Sequence, residues 1–234
     1  MSVQEQLSEL TELAGAFIHE VKNHISTLGL NIQLLVEDLE NPQNPRERKA
    51  LDRTRKLQVE CDKLFQFSND FLRFARAERV RKDRCNLDDV VSELVDFLSP
   101  TAKQKNISID WYPSGHFPEV QLDRDLFKQA LLNLLINAEQ AMPDGGKIVL
   151  QMRSADDSII LEVIDNGKGI PPEQLGMLFK PFFTTKREGT GLGLPTARKI
   201  IAAHGGSIEV QSEVGRGTKF SIKLPELLQE KKSG

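Results

Sequence analysis

The chain has 234 residues, 31 of them basic and 34 acidic, and its net charge of −3 argues against a nucleic-acid surface or a polybasic membrane patch. Its two cysteines are too few for a disulfide framework and are typical of a reducing compartment. No apolar run approaches the roughly 18 residues of a membrane span, and the acidic N-terminal residues are unlike a signal peptide. We therefore expect a cytoplasmic protein, or the cytosolic part of a longer chain, with no nucleic-acid partner and no membrane contact from this segment.

The first predicted element is a long amphipathic helix over residues 4–40. It is far longer than the average globular helix of about 11–12 residues, which is typical of a bundle or a coiled coil. Residues 41–45 contain two prolines, and these end the helix. The apolar residues recur at steps of three, four and seven, so they share one face: Leu10, Ala14, Phe17, Val21, Leu28, Ile32, Leu35 and Leu39.

A second long helix follows the turn. Two long helices joined by a short turn predict an antiparallel hairpin, which we assign to residues 1–80. Such a hairpin has little core of its own, so we expect a homodimer in which two hairpins form a four-helix bundle. The second helix presents one face made of Leu57, Cys61, Leu64, Ser68, Phe71 and Ala75.

The rest of the chain alternates predicted helices and strands. Residues 81–86 are assigned to a charged linker, residues 87–228 to a second domain and residues 229–234 to a disordered tail. Asn86 is a candidate helix cap, with Asp89 three residues later. Helices and antiparallel strands in this alternation predict an α/β sandwich. Strands are expected at 107–111, 147–153, 159–164, 207–210 and 219–224, and helices at 123–141 and 191–204, the latter stopped by Gly205 and Gly206.

His19 is predicted to face solvent. On a helical wheel of roughly 100° per residue, the apolar residues of the first helix lie opposite His19. Asn23 follows one turn later on the same face, Glu20 lies to one side, and His24 falls towards the core face. A neutral imidazole is a usable nucleophile at cytosolic pH, and a neighbouring carboxylate can accept its proton. From this helix alone, a surface histidine without a function is the favoured interpretation.

Two glycine-rich segments of the second domain are candidates for ligand binding. Residues 165–170 (DNGKGI) follow a strand, and Gly167 and Gly169 permit a tight turn and close approach to a ligand, although a simple turn has the same pattern. Residues 189–194 (GTGLGL) lead into a helix whose first N–H groups suit phosphates, with a flexible hinge as the alternative. The segment 189–194 has neither the Walker nor the dinucleotide pattern.

Two further segments carry side chains that suit a nucleotide. Asn133 and Asn137 share a face of an apolar helix, and their amide oxygens suit Mg²⁺ and its phosphate-bound water shell. A pair of asparagines satisfied by backbone groups is equally consistent with this spacing. Residues 178–186 (LFKPFFTTK) contain three phenylalanines that either belong to the core or anchor a flap, from which Lys186 would meet the phosphates.

In this order, the motifs resemble the catalytic core of the sensor histidine kinases of two-component systems. Residues 17–23 look like the H box of that family, 133–138 like its N box and 165–169 like its first glycine box. Residues 179–183 look like its F box and 189–193 like its second glycine box. The resemblance covers roughly residues 10–225. It implies a dimeric helical hairpin followed by a Bergerat-type (GHKL) ATP-binding domain, and a partner that carries a response-regulator receiver domain.

The resemblance also implies roles for single residues. His19 would be the phosphoacceptor, Glu20 its acid/base partner and Asn23 a residue that orients water when the partner is dephosphorylated. Asn137 would hold Mg²⁺, and Asp165 would accept a hydrogen bond from the adenine amino group. The remaining ATP-binding residues implied are Asn133, Gly167, Gly169, Ile170, Phe179, Lys186, Thr190, Gly191, Leu192 and Gly193. The activity implied is ATP-dependent autophosphorylation of His19 and transfer to an aspartate of the receiver.

One position departs from the family, and three competing functions stay open. His24 stands where relatives usually carry a proline, which predicts a straighter helix after His19; His116 and His204 have no motif support and are interpreted as structural. An ATPase resembling gyrase or Hsp90 would carry a glutamate where this chain has Asn133, so the base that activates water is missing. The second competing function is that of a degenerate kinase that only docks a partner, and the third is that of a protein dominated by phosphatase activity.

Overall fold

The computed structural model describes residues 3–77, 80–113, 119–155, 157–186 and 189–227, and the side chains of residues 3–17 and 19 lie outside this description. The chain divides into two compact units, Met1–Arg76 with Thr185–Thr190 and Ala77–Thr184 with Gly191–Gly234. Among the described residues, no helix has the length and apolar content needed to cross a bilayer.

The first unit is an antiparallel hairpin of helices α1 (Val3–Asp38) and α2 (Pro45–Arg76). Asn44 explains where α2 begins, because its Oδ1 accepts the N–H groups of Arg46 and Glu47, both at 3.0 Å. Pro45 occupies the first helical position, where a missing N–H has no consequence. The predicted antiparallel helical hairpin is therefore present.

Burial within the hairpin corrects the prediction of a single apolar face. Ile25 of α1 and Leu51, Ser68 and Leu72 of α2 are buried. By contrast, four leucines of the predicted faces are more than half exposed: Leu28 at 56%, Leu35 at 52%, Leu57 at 58% and Leu64 at 53%. One hairpin is too narrow to cover a stripe that runs on both sides of its seam, so part of each stripe stays open.

His24 also differs from its prediction. Its side chain is 77% exposed rather than turned into the hairpin core, and its Nε2 lies 4.0 Å from Glu20 Oε1. The reason is that the neighbouring Ile25 takes the buried position at the helix contact. His24 instead shares a face with Leu28 and Leu35, four and eleven residues further along, which are exposed as well.

The second unit is an α/β sandwich, as predicted. Its strands are β1 (Asp83–Cys85), β2 (Ile107–Tyr112), β3 (Val120–Leu122), β4 (Gly146–Ser154), β5 (Ser158–Asp165), β6 (Ser207–Glu213) and β7 (Gly217–Pro225). Its helices are α3 (Leu87–Gln104), α4 (Arg124–Gln140), α5 (Pro172–Leu175) and α6 (Gly193–Ala203). One hydrophobic core joins α3, α4 and α6 to the sheet and includes Phe127, Leu150, Leu161 and Ile200.

The main sheet has the strand order β2-β4-β5-β7-β6. The predicted pairing of β4 with β5 is confirmed, and β5–β7 and β6–β7 are antiparallel too. The edge strand β2 is an exception to the predicted antiparallel arrangement, because it pairs with β4 in parallel. The chain between them passes through β3 and α4, and a helical crossover of this kind is what a parallel pair requires.

Several element boundaries differ from the prediction. The predicted linker, residues 81–86, contains β1, which pairs with β3 inside the second unit. The short elements β3 and α5 were not predicted, and α6 begins at Gly193 rather than near Gly191. Asn86 is confirmed as the cap of α3 and accepts the N–H of Asp88 at 2.9 Å. His116 and the tail 229–234 lie outside the described residues.

Candidate nucleotide-binding site

Asp165 is the most constrained acidic side chain of the candidate site. It ends β5 and is only 5% exposed. Its Oδ1 accepts two backbone N–H groups, from Gly167 at 2.9 Å and from Thr218 at 3.2 Å. Burial raises the pKa of this carboxyl, and the two N–H groups oppose the increase. Both bonds end on Oδ1, so Oδ2 is the candidate acceptor for a ligand.

The turn after Asp165 packs against the end of α4. A Cβ added to Gly167 would lie 2.8 Å from the Cβ of Ala141, so only glycine fits this approach. The N–H of Lys168 donates to the carbonyl of Ala141 at 3.1 Å, and the N–H of Ile170 donates to Ser212 Oγ at 2.8 Å. These bonds fix the first glycine box between α4 and β6.

The asparagines connect α4 to the second glycine box. Asn133 Nδ2 donates to the carbonyl of Gly193, the first residue of α6, at 3.0 Å. Asn137 lies one helical turn further along α4, towards the turn that contains Gly167. The helix α4 therefore lies next to the first glycine box, with Asp165, and to the part of the second glycine box that belongs to the second unit, Gly191–Gly193.

The residues before α6 adopt a tight backbone conformation. Gly191 has a φ of +69°, and a Cβ there would lie 2.6 Å from the carbonyl carbon of Phe182. Phe182 also has a positive φ, of 67°, and its N–H donates to the carbonyl of Gly191 at 3.1 Å. The side chain of Leu192 is fully buried, so only its backbone can face a ligand. The F box and the second glycine box are thus joined through their backbones.

Three other predicted ATP-binding residues occupy different surroundings. Phe179 packs on the core, with its ring edge-on to Phe220 at 6.5 Å between centroids and under the guanidinium of Arg198 at 5.5 Å. Lys186 and Thr190 belong to the compact unit that contains the helical hairpin. Within that unit, Thr190 Oγ1 donates to Asp70 Oδ2 at 3.0 Å. The structure therefore does not group these two residues with Asp165.

The predicted acceptor region lies on α1. The side chain of His19 is outside the described residues, so its solvent-facing orientation stays a prediction. Glu20 and Asn23 are exposed, in agreement with the helical wheel. Neither side chain is held in a buried network, which leaves both accessible to a second protein.

The side chains near α4 offer a small set of oxygen donors to Mg²⁺. No group of three or more histidine, cysteine or acidic side chains that could hold a metal occurs in the described part of the chain. Among the described residues, the N box contributes the amide oxygens of Asn133 and Asn137, both on partly exposed side chains. This neutral donor set fits an ion that keeps most of its water and phosphate ligands, as Mg²⁺ does, and it does not fit a cation that needs an all-protein cage.

Two contributors to this region were missed in the sequence. Thr218 donates a backbone N–H to Asp165, and Ser212 links Ile170 to the carbonyl of Gly217, to which its hydroxyl donates at 2.8 Å. Both lie on strands that arrive from the C-terminal end of the chain. The only local signal was the pair of glycines, Gly215 and Gly217, in the turn before Thr218.

Comparison with known proteins agrees with this geometry. Residues 122–228 match the family of histidine kinase-, DNA gyrase B- and HSP90-like ATPases. The sensor histidine kinase ZraS of Salmonella typhi is 32% identical over 226 residues, which cover 96% of this chain and 48% of that protein. The chain thus spans about half the length of this curated relative.

Solved structures extend the comparison. Full-length ShkA in complex with AMPPNP has a TM-score of 0.72 and 26% identity, and the match covers 92% of this chain and 46% of ShkA. The histidine kinase ThkA in complex with the response regulator TrrA has a TM-score of 0.65 at 27% identity, over 96% and 64% of the two chains. The ThkA catalytic domain is 33% identical, with a TM-score of 0.58, over 62% of this chain and 96% of that domain. By its sequence and its fold, this chain belongs to the sensor histidine kinases.

Proposed function

We propose that the chain is an ATP-dependent protein-histidine kinase that phosphorylates its own His19 and passes the phosphoryl group to an aspartate of a response-regulator receiver domain. The observation that carries this proposal is the buried Asp165 carboxylate, whose Oδ1 is held by two backbone N–H groups, so that Oδ2 is the candidate acceptor for a ligand. It adjoins the glycine box that packs on α4. The complexes of ShkA with AMPPNP and of ThkA with a response regulator support the substrate and the partner.

In this proposal, the second unit binds ATP by its base and by its phosphates. Oδ2 of Asp165 accepts a hydrogen bond from the adenine amino group, which a buried and oriented carboxylate does well. Gly167, Gly169, Ile170 and Phe179 shape the pocket for the base. The backbone N–H groups around Gly191, Leu192 and Gly193 stand at the start of α6, an eleven-residue helix, and suit the phosphates. Lys186 and Thr190 remain candidates for phosphate contacts.

Asn137, with Asn133 beside it, would hold Mg²⁺ through an amide oxygen. When bound, the ion neutralises charge on the phosphates of ATP. Asn133 also connects α4 to Gly193 through its Nδ2, next to the backbone N–H groups proposed to bind the phosphates. Asn133 occupies the position of the water-activating glutamate in gyrase-like ATPases, and an amide cannot act as that base. This substitution favours the kinase over the ATPase.

The chemical step is an in-line displacement at the γ-phosphorus. A ring nitrogen of His19 attacks, the P–N bond forms, the bond from phosphorus to the bridging oxygen breaks, and ADP leaves with the electron pair. The proton of the attacking imidazole passes to Glu20, whose carboxylate is exposed on the next residue. The receiver aspartate then takes the phosphoryl group. Asn23 would orient a water molecule when the phosphorylated partner is dephosphorylated by hydrolysis. Because the reaction needs ATP and this class of partner, its expected compartment is the cytosol.

The test of the proposal is incubation of the pure protein with γ-labelled ATP and Mg²⁺, followed by addition of a receiver domain. We expect protein-bound label that is acid-labile and alkali-stable, as a phosphohistidine is, and that moves to the receiver. If the protein binds ATP but takes up no label, the kinase proposal is wrong, and a phosphatase or a docking scaffold would take its place.

The exposed leucines of the hairpin support a homodimer. Leu28, Leu35, Leu57 and Leu64 leave an apolar surface on one hairpin that a second hairpin would cover as a four-helix bundle. His24 would then lie at the edge of this interface, beside Leu28.

Charge placed in that interface should separate the subunits. We expect Leu28→Glu combined with Leu35→Glu to shift the protein from dimer to monomer in sedimentation equilibrium at micromolar concentration, because two buried carboxylates per chain would be unpaired. Ser26→Glu is the matched control, since Ser26 is exposed on the opposite side of α1 and should leave the dimer intact. A wild-type protein that sediments as a monomer would contradict the dimer.

A further inference from the structure

His204 connects the end of α6 to the start of α4. It is only 3% exposed, and its Nε2 accepts the backbone N–H of Asp123 at 2.9 Å. Since Nε2 is an acceptor, the ring proton is on Nδ1, which donates to the carbonyl of Ile200 at 2.7 Å. Phe127 of α4 packs edge-on against the ring, with 6.1 Å between centroids. Burial lowers the pKa of His204, so the neutral ring is the form present at pH 7.

The backbone N–H of Asp123, which donates to His204, has no acceptor within its own helix. Asp123 is the N-cap of α4, where the first N–H groups have no carbonyl one turn earlier to bond. Its side chain is already engaged: Oδ1 accepts the N–H of Leu126 at 3.2 Å, and Oδ2 accepts the N–H of Arg81 at 3.0 Å. The Asp123 N–H therefore depends on His204 for its hydrogen bond.

The bond to His204 connects the start of α4 to the end of α6. A second bond joins Asn133 of α4 to Gly193 at the beginning of α6. At 1.5 Å per residue, Asp123 and Asn133 are about 15 Å apart along α4, and Gly193 and His204 are about 16 Å apart along α6. The two helices thus run antiparallel, and the distance between the two hydrogen-bonded positions is nearly the same along each helix. The two helices share one hydrophobic core, and these two directional bonds add a constraint on their axial position that apolar contacts alone do not impose.

We propose that His204 is a positioning residue for ATP: through Asp123, it fixes the axial register of α6 against α4 and so holds the second glycine box opposite Asn133 and Asn137. This inference rests on the proposed function and adds a residue to it. His204 does not touch the nucleotide, because it lies at the far end of α6 from the glycine box. Its effect on ATP is exerted through the relative position of two helices.

Two substitutions of His204 test separately the hydrogen bond that its ring accepts and the one that its ring donates. His204→Asn places an amide near Nδ1, which keeps the bond to Ile200 but leaves the Asp123 N–H without an acceptor. His204→Gln places an amide oxygen near Nε2, which keeps the acceptor for Asp123. We expect the Asn variant to bind ATP about tenfold more weakly than wild type, and the Gln variant to stay within about twofold. At saturating ATP, both should autophosphorylate at rates within about twofold of wild type, so that KM changes and kcat does not.

A measurement on the unaltered protein covers the case in which the Asn variant fails to fold. If the register of the helices is coupled to ATP, ATP must in turn strengthen the bond from Asp123 to His204. Exchange of the Asp123 amide hydrogen should therefore slow when ATP is added. Equal ATP affinity in both variants and in wild type, equal losses in both, or an exchange rate that ATP leaves unchanged would each overturn the inference. A wild-type chain that does not bind ATP would overturn the proposed function, and this inference with it.

Discussion

Replacement of His19 by glutamine is expected to reduce autophosphorylation by at least about 100-fold, to the background of the assay, because no nitrogen nucleophile remains at that position. ATP affinity should not change, since His19 lies on the hairpin, whereas Asp165, the first glycine box and Gly191–Gly193 lie in the other unit. The measurement is uptake of label from γ-labelled ATP, together with titration of ATP binding to the same variant.

His24→Gln is the matched control for the acceptor. His24 is on the same helix, is 77% exposed and lies near the same carboxylate, that of Glu20. We expect this variant to take up label within about twofold of wild type, because accessibility alone does not make a phosphoacceptor. Label that persists in His19→Gln and disappears in His24→Gln would move the acceptor to His24.

Asp165→Asn should separate nucleotide binding from folding. The amide oxygen can replace Oδ1 and accept the N–H groups of Gly167 and Thr218, but the amide nitrogen replaces Oδ2, so that a donor faces the adenine amino group. We expect ATP affinity to fall about 100-fold. The melting temperature at pH 7 should be no lower than that of wild type.

The sign of the stability effect follows from the pKa of Asp165. Burial raises that pKa in the folded state, so the contribution of this carboxyl to stability is fully present below its unfolded pKa and is lost as pH rises through the folded value. At pH 7 the ionised carboxylate therefore opposes folding, and the neutral amide removes this effect. Thermal unfolding of both proteins between pH 4 and pH 7 should show that the advantage of the variant grows with pH.

Glu162→Gln provides a control on the same strand. Glu162 is 7% exposed, and Gln151 Nε2 donates to its Oε2 at 2.7 Å. Burial raises its pKa, but the bond from Gln151 and the charge of Lys219 outweigh this, and the net pKa is lowered. Its contribution to stability is thus present at pH 7, so the variant should melt lower while its ATP affinity stays within about twofold. The proposal for Asp165 fails if both variants bind ATP equally well.

The long periodic elements were predictable from the sequence. The helices α1, α2 and α4 repeat apolar residues at helical spacing over many turns, so that periodicity identifies them, and β4 and β5 are short segments that contain the β-branched residues isoleucine and valine. The N-cap at Asn86 was also predictable, because an asparagine directly before a predicted helix is a local signal of a helix start. The motif order further pointed to the family, because five short patterns occurred in one register.

The missing parts of the prediction depend on contacts between distant residues. β1 and β3 have three residues each and are too short to show a period, and they become strands only by pairing with each other. The parallel pairing of β2 with β4 is set by the crossover through α4 rather than by either strand. His24 was placed wrongly because a helical wheel shows only one apolar side of a helix. It cannot tell the residues that contact the other helix of the hairpin from the apolar residues beside them that stay exposed in one chain.

The roles of Thr218 and His204 were invisible for a related reason. Each makes its contact with a residue more than fifty positions away, as in the bond from Thr218 to Asp165 and the bond from Asp123 to His204. A sequence pattern describes neighbours along the chain, and these contacts join β5 to β7 and α4 to α6. His204 therefore looked like an ordinary structural histidine.

The parallel pair of β2 and β4 has a consequence for how the second unit folds. The turn between β4 and β5 is short, so this hairpin can form early and at little loop-closure entropy. Ile107 can pair with Gly146 only after the chain through α4 has been brought back across the sheet, which makes this a late, non-local step. The helix that carries Asn133 and Asn137 is therefore part of the folding crossover itself, and the sheet cannot be completed before the N box has been brought across it.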